Sequence, residues 1–161
     1  MLRLSKLTDY GTVIMTFMAR DEGQVHSAHE IAEQVGIAAT TVSKVLKMLA
    51  RYELVVSTRG AKGGYVLARP AAEITMAAII SAMEGGPLGL TECSTAPGAC
   101  IQERSCSIRG NWQRINQVII RALEDVSLAE MTRPVAHPIH IRDRDPAARR
   151  GRARVTLAAD S

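Results

Sequence analysis

The chain has 161 residues, 47% apolar but only 3% aromatic, with 20 Lys and Arg against 16 Asp and Glu, a net charge of +4. That length allows one ordinary domain, or a small domain with extensions, built on an aliphatic core. No run approaches the ~18 unbroken apolar residues of a membrane span, and no nucleotide-binding loop or acid–base motif speaks for an enzyme.

The opening "MLRLSKLTDYGTVIMTFMARDE" has early Arg and Lys and then an apolar run. Asp9, Tyr10 and Gly11 interrupt that run, and Asp21 and Glu22 stand where a signal peptide needs small residues. A cytoplasmic protein is expected. Leu7, Tyr10, Ile14 and Phe17 recur at steps of three and four, which predicts an amphipathic helix over about residues 5–20. In "HSAHEIAEQV", Ser27 and Glu30 form the pattern of a capping box, so a second helix starts there and Gly36 ends it. "AATTVSKVLKMLARY" predicts a third helix with Val42, Val45, Leu46 and Leu49 on one face. "LVVSTRGAKGGYVLAR" reads as a β-hairpin closed by Pro70. "ITMAAIISAMEGG" predicts a fourth helix stopped by Gly85 and Gly86. Residues 87–108 are a Gly-, Pro- and Ser-rich loop that holds all three cysteines.

From about Ile108 to Met131 the pattern predicts the longest helix, striped by Trp112, Ile115, Ile119, Ala122 and Val126. Such a stripe suits a two-fold dimer, which would set two recognition helices about one DNA turn apart. Beyond Pro134 no helical or strand period survives, and a disordered basic tail is expected over 133–161. Its seven Arg and three Asp carry the whole net charge, so residues 1–132 sum to zero. Any basic surface on the ordered part must come from local clustering.

Residues 28–47 have the make-up of a helix–turn–helix: Ala32 small at the helix crossing, Ile31, Val35, Ile37, Val42 and Val45 apolar, and Gly36 at the turn. The exposed face of the second helix carries Thr40, Lys44, Lys47 and Arg51, with Thr41 and Ser43 beside them and no acid on the face. Such a helix fits a major groove, its early residues near bases and its later ones near phosphates. A hairpin after a helix–turn–helix makes a winged helix, and its tip offers Arg59 and Lys62 between glycines to the duplex. The expected partner is a double-stranded DNA operator.

Cys93 and Cys100 have six residues between them, Cys100 and Cys106 five. Zinc sites more often use closer pairs, and no histidine lies between His29 and His137 to complete one. There is no C-x-x-C. Loose spacing suits an iron–sulfur cluster, which is larger than one ion, and a following helix N-terminus favours negative charge there. A thiol redox sensor without a cluster is the alternative.

Taken together, "MLRLSKLTDYG", the helix–turn–helix, the wing "RGAKGGY" and a three-cysteine loop before a long helix occur in one order. In this the chain resembles the IscR-type winged-helix iron–sulfur transcription regulators over about residues 1–132. "LTECS", "RGNWQRIN" and "SLAEM" are most similar to the proteobacterial subgroup that regulates SUF iron–sulfur assembly genes. The resemblance implies a mainly α fold with a small β-hairpin wing and a homodimeric repressor. It divides the chain into a DNA-binding unit (1–84), a cluster loop (85–109), a dimerisation helix (110–132) and the tail. It implies a [2Fe–2S] cluster, with [4Fe–4S] the alternative, held by Cys93, Cys100 and Cys106. IscR places a ligating His three residues after the third cysteine, where this chain has Arg109. Some relatives use an acid near the start of helix one of the other subunit, which here is Asp9; Glu92, Glu103 or a small thiol are the other options. Where IscR has a Glu that discriminates between DNA sites, this chain has Ser43.

Overall fold

The computed structural model describes residues 4–60, 63–96 and 98–133. Lys62 and the tail expected after residue 133 lie outside them. The elements in chain order are α1 (Lys6–Met18), α2 (Ala28–Val35), α3 (Ala39–Arg51), β1 (Val55–Thr58), β2 (Gly64–Leu67), a 3₁₀ turn at Ala71–Glu73, α4 (Met76–Glu84), α5 (Glu92–Thr95), α6 (Arg109–Glu124) and α7 (Leu128–Met131).

One aliphatic core holds these together, as the scarcity of aromatics requires. Ile14, Met15 and Met18 of α1 meet Ile31 of α2, Val42, Val45, Leu46 and Leu49 of α3, and Ile79 and Met83 of α4. The expected face of α3 is buried in full, whereas in α1 the buried face is Thr8, Gly11, Ile14, Met15 and Met18, with the expected Leu7, Tyr10 and Phe17 only partly buried against the core. The ends are set by local polar groups. Ser5 caps α1 by accepting from the Thr8 N–H at 3.1 Å, and Thr75 caps α4 by accepting from Ala78 at 3.2 Å. Gly36 ends α2 with φ +68°, a left-handed conformation that turns the chain directly into α3.

At the start of α2 only half of the expected capping box forms. The Ser27 hydroxyl accepts from the Glu30 N–H at 3.1 Å. The Glu30 carboxylate does not return to the cap; it lies 2.9 Å from Nδ1 of the buried His26. A buried ring nitrogen has no water to fall back on, so it outcompetes a backbone donor that water can reach.

β1 and β2 pair antiparallel, from Val55 opposite Leu67 to Thr58 opposite Gly64. The hairpin is fastened to the helix–turn–helix by a backbone exchange: the His26 N–H donates to Tyr65 at 2.9 Å and the Tyr65 N–H to His26 at 2.8 Å. Gly64 permits that approach, since a Cβ there would stand 2.4 Å from the His26 carbonyl oxygen. The result is a mainly helical winged helix–turn–helix with a two-stranded wing, as expected.

The single helix expected over 108–131 is two helices. Its physical reason lies at Ser127. That residue is extended and makes a full capping box: the Ser127 hydroxyl accepts from Glu130 N–H at 3.3 Å, while the Glu130 carboxylate accepts from Ser127 N–H at 2.7 Å. The break lets the backbone pair with the segment before α4. Met76 donates to the Val126 carbonyl at 2.9 Å and Leu128 donates to Ile74 at 2.7 Å. Leu128 then drops fully into the core.

Two outcomes test this packing. Leu49→Ala, at a fully buried site, is expected to cost about 2–5 kcal/mol in denaturant unfolding. Thr8 is buried and donates its hydroxyl to the Glu84 carboxylate across the α1–α4 contact. That bond holds Glu84 below its ordinary value of 4.5. A depressed carboxylate contributes stability above its unfolded value and loses it as pH falls through the folded one. The melting temperature is therefore expected to fall more steeply below pH 4.5 in the wild type than in Thr8→Val, measured by thermal melts across that range.

Candidate nucleic-acid interface and cysteine loop

α3 buries Val42, Val45, Leu46 and Leu49 and turns its other side outward. On that side Thr40, Lys44, Lys47 and Arg51 are exposed and share a shallow groove with the half-buried Ser43. Thr41 is half-buried beside it. No acid occurs anywhere in the helix, and its start at Ala38 has no side-chain cap. Arg59 is exposed at the wing tip, one residue after β1 and next to Gly60, whose φ is +114°. The expected cationic residues within the described chain are thus brought to the surface on the helix and the wing.

The three cysteines are free thiols of intermediate burial. Cys93 does not sit in irregular chain, as expected, but in the short helix α5, with its Sγ 3.3 Å from the Thr91 hydroxyl. Cys100 and Cys106 flank a run of turns. The carbonyl of Cys106 accepts from the Arg109 N–H at 3.4 Å as α6 begins.

Three polar side chains organise this loop. Glu103, only 9% exposed, accepts from the Gly98 N–H at 2.5 Å and pairs with the Arg109 guanidinium at 2.6 Å. Arg109 lines a recess with Cys100 and Arg104, and its Nε is buried without a hydrogen-bond partner. At the other end, buried Asn116 of α6 clamps the incoming chain: its Oδ1 accepts from Leu90 at 3.0 Å and its Nδ2 donates to the Leu88 carbonyl at 3.2 Å. Nothing in the sequence singles out Asn116, which stands between Ile115 and Gln117 with a second short amide, Asn111, in the same helix. The pairing of Glu103 with Arg109 carries no sequence signal, because five residues of irregular chain separate them.

Among the described residues, no three of His, Cys, Asp or Glu come close enough to hold a single metal ion. The donor set is nevertheless of the right chemistry for an iron–sulfur cluster: three unpaired, partly exposed thiols on one short loop, bound into no disulfide. Arg109 has no lone pair to offer, and Glu103 is engaged. Glu92 is exposed at the start of α5. Asp9 is exposed on the first turn of α1 and lines a recess that shares no residue with those at Cys93 and Cys100. Within one protomer it is not brought to the cysteines.

On α6 the expected stripe divides. Trp112, Ile115 and Ala122 are exposed, Ile119 is half-buried, and Val126, beyond the helix end, packs against the protomer's own core. Ile108 and Val118, 52% and 63% exposed, extend the uncovered face. Among the described residues no helix is long and apolar enough to cross a membrane.

Known proteins agree with this architecture. The structure of CymR (YrzC), the global cysteine regulator of B. subtilis, is similar with a TM-score of 0.64 and 28% identity, over 82% of this chain and 97% of that one. T. potens IscR matches with a TM-score of 0.61 and 28% identity, over 81% of this chain and 85% of its own. The oxidized form of Staphylococcus aureus CymR matches with a TM-score of 0.61 and 28% identity, over 84% and 100%. Residues 4–134 match the model of the Rrf2 family, described as iron-dependent transcriptional regulators. With that match spanning the whole described chain, and with the winged helix–turn–helix in place, the chain belongs to the Rrf2 family of transcriptional regulators.

Proposed function

We propose that this chain is a cytoplasmic, homodimeric DNA-binding regulator whose cysteine loop carries an iron–sulfur cluster, and that it represses iron–sulfur assembly genes of the SUF type. The observation that carries the reading is the set of three free thiols on a loop closing onto α6, within a member of an iron-dependent regulator family. Cys93, Cys100 and Cys106 would hold the cluster. Asp9 of a second copy would complete it, since Arg109 and Glu103 are paired with each other. The cluster, when bound, supplies a change of charge and of loop shape with iron supply or oxidation. The chain's own residues do the rest. Asn116 and the Glu103–Arg109 pair transmit loop position to α6. The exposed α6 face pairs with a second copy, and the spacing of the two α3 helices follows from that pairing. Thr40, Thr41, Ser43, Lys44 and Lys47, with Arg59 and Lys62 from the wing, would meet the operator. A coupling of ~1–3 kcal/mol corresponds to about 5- to 150-fold in DNA affinity.

A thiol-sensing reading has its own support. The chain is as similar in sequence to CymR, a cysteine regulator, as to IscR, and its thiols do not converge on one ion. Metal analysis set against thiol titration separates the two.

Anaerobically purified protein is expected to be coloured, with iron and sulfide present. Each of Cys93→Ala, Cys100→Ala and Cys106→Ala is expected to bleach it; three variants with full iron and sulfide would falsify the ligand assignment. Lys44→Ala and Arg59→Ala are expected to weaken binding to DNA from the gene's own upstream region. For each lost phosphate contact the slope of log affinity against log salt should fall by about one unit. Unchanged affinity and slope in a gel-shift titration would move the DNA face elsewhere.

A further inference from the structure

His26 stands just before the α2 cap, and its side chain is only 2% exposed. Its ring packs edge-on to Phe17 of α1, with centroids 5.1 Å apart. Nδ1 lies 2.9 Å from the Glu30 carboxylate of α2, and Nε2 is buried with no hydrogen-bond partner. The bond to His26 is the largest cause holding Glu30 below its ordinary value of 4.5, so the carboxylate is charged at neutral pH. A carboxylate only accepts, so Nδ1 is the donor. An apolar side chain would fill the same space without stranding a polar atom. What histidine adds is a directional bond that fixes the ring, and with it residue 26, against α2.

The backbone of the same residue holds the wing, through its paired hydrogen bonds with Tyr65. Tyr65 stands opposite Ser57, two residues before Arg59, and only the Thr58–Gly64 rung lies beyond it. The grip is therefore close to the wing tip. The base of the hairpin is held separately, where Leu54 donates to the Leu49 carbonyl of α3 at 3.0 Å. Tyr65 and Leu67 lean on the core between the two ties. A two-stranded hairpin is marginal by itself, so a wing fastened at its base alone would leave Arg59 without a fixed place.

We propose that His26 is a positioning residue for DNA binding: its ring, locked between Glu30 and Phe17, sets the wing tip and Arg59 against the duplex that α3 reads. The inference rests on the DNA-binding reading above and adds the residue that joins its two contact surfaces. His26 is buried and meets no DNA itself. Its loss frees the wing tip, while α3 keeps its outward face through the burial of Val42, Val45, Leu46 and Leu49.

The test is a double-mutant cycle on the full chain, read by gel-shift titration of DNA from the gene's own upstream region, with folding checked by circular dichroism. Arg59→Ala is expected to weaken wild-type binding about tenfold. In His26→Ala, whose wing tip is already loose, it is expected to cost less than about twofold. Lys44→Ala is expected to weaken binding equally in both backgrounds. A full Arg59 effect in His26→Ala, or a Lys44 effect that vanishes there, overturns the proposal. Should His26→Ala fail to fold, Glu30→Ala takes its place, because Glu30 is 43% exposed and its truncation removes the bond to the ring without opening the core. It is expected to reduce the Arg59 effect likewise, and a full effect there overturns the proposal. Glu30→Gln keeps an acceptor oxygen and is expected to restore the full Arg59 effect. Arg59→Ala without effect in the wild type removes the wing contact and the proposal together, whereas a tenfold effect in every background removes only the role of His26.

Discussion

The architecture depends on a short backbone clasp. Val126 and Leu128 exchange hydrogen bonds with Met76 and Ile74, and Leu128 is buried beneath the exchange. Two separate ends are fixed at once: the start of α4, which is core, and the end of α6, which is not. Without the clasp α6 would run on into solvent with no defined angle to the DNA-reading half. With it, α6 is anchored at its far end by the same residues that complete the core. Its near end is held differently. There the side-chain hydrogen bonds are those of Asn116, halfway along the helix, and the Glu103–Arg109 pair in the loop, beside the packing of α5. Apolar burial is hard to reverse, whereas a few hydrogen bonds on a partly exposed loop rearrange at modest cost. The helix is thus firm where it meets the domain and adjustable where it meets the thiols.

That asymmetry suits a regulator. In the proposed reading, a group bound at the thiols would alter the adjustable end, and the fixed end would convert the change into a movement relative to the core. The wing is tied to the residue before the α2 cap by its own exchange between His26 and Tyr65. Lys44, Lys47 and Arg51 on α3 and Arg59 at the wing tip face outward, while in the cysteine loop Glu103 neutralises Arg109.

Much of this was legible in the sequence, because the DNA-reading half obeys simple periods. The apolar steps of α3 became a buried face, those of α1 did so only at Ile14, and Gly36 took the left-handed turn that its position demanded. The capping boxes are instructive. Ser27 and Glu30 carry the pattern but form half of it, since buried His26 claims the carboxylate. Ser127 and Glu130 carry the same pattern, embedded in what read as continuous helix, and form it in full. An identical spacing had opposite outcomes because tertiary neighbours decide which donor has no alternative. The cysteine loop was legible as a thiol cluster but not in its geometry. The turn that lodges Cys93 and the pairing of Glu103 with Arg109 are set by packing that leaves no period to read.

The break at Ser127 also gives α6 a phase. Successive residues of an α-helix are offset by about 100° around its axis. The clasp sets the angular origin, and the uncovered face at Ile115 and Val118 is read out from it. Adding or removing one residue between them would swing that face a quarter turn or more out of line while leaving the core untouched. Only changes near a whole turn would restore it. The length of α6 is therefore constrained by angle as well as by reach, so that sequence drift in this helix is tolerated by substitution far more readily than by insertion.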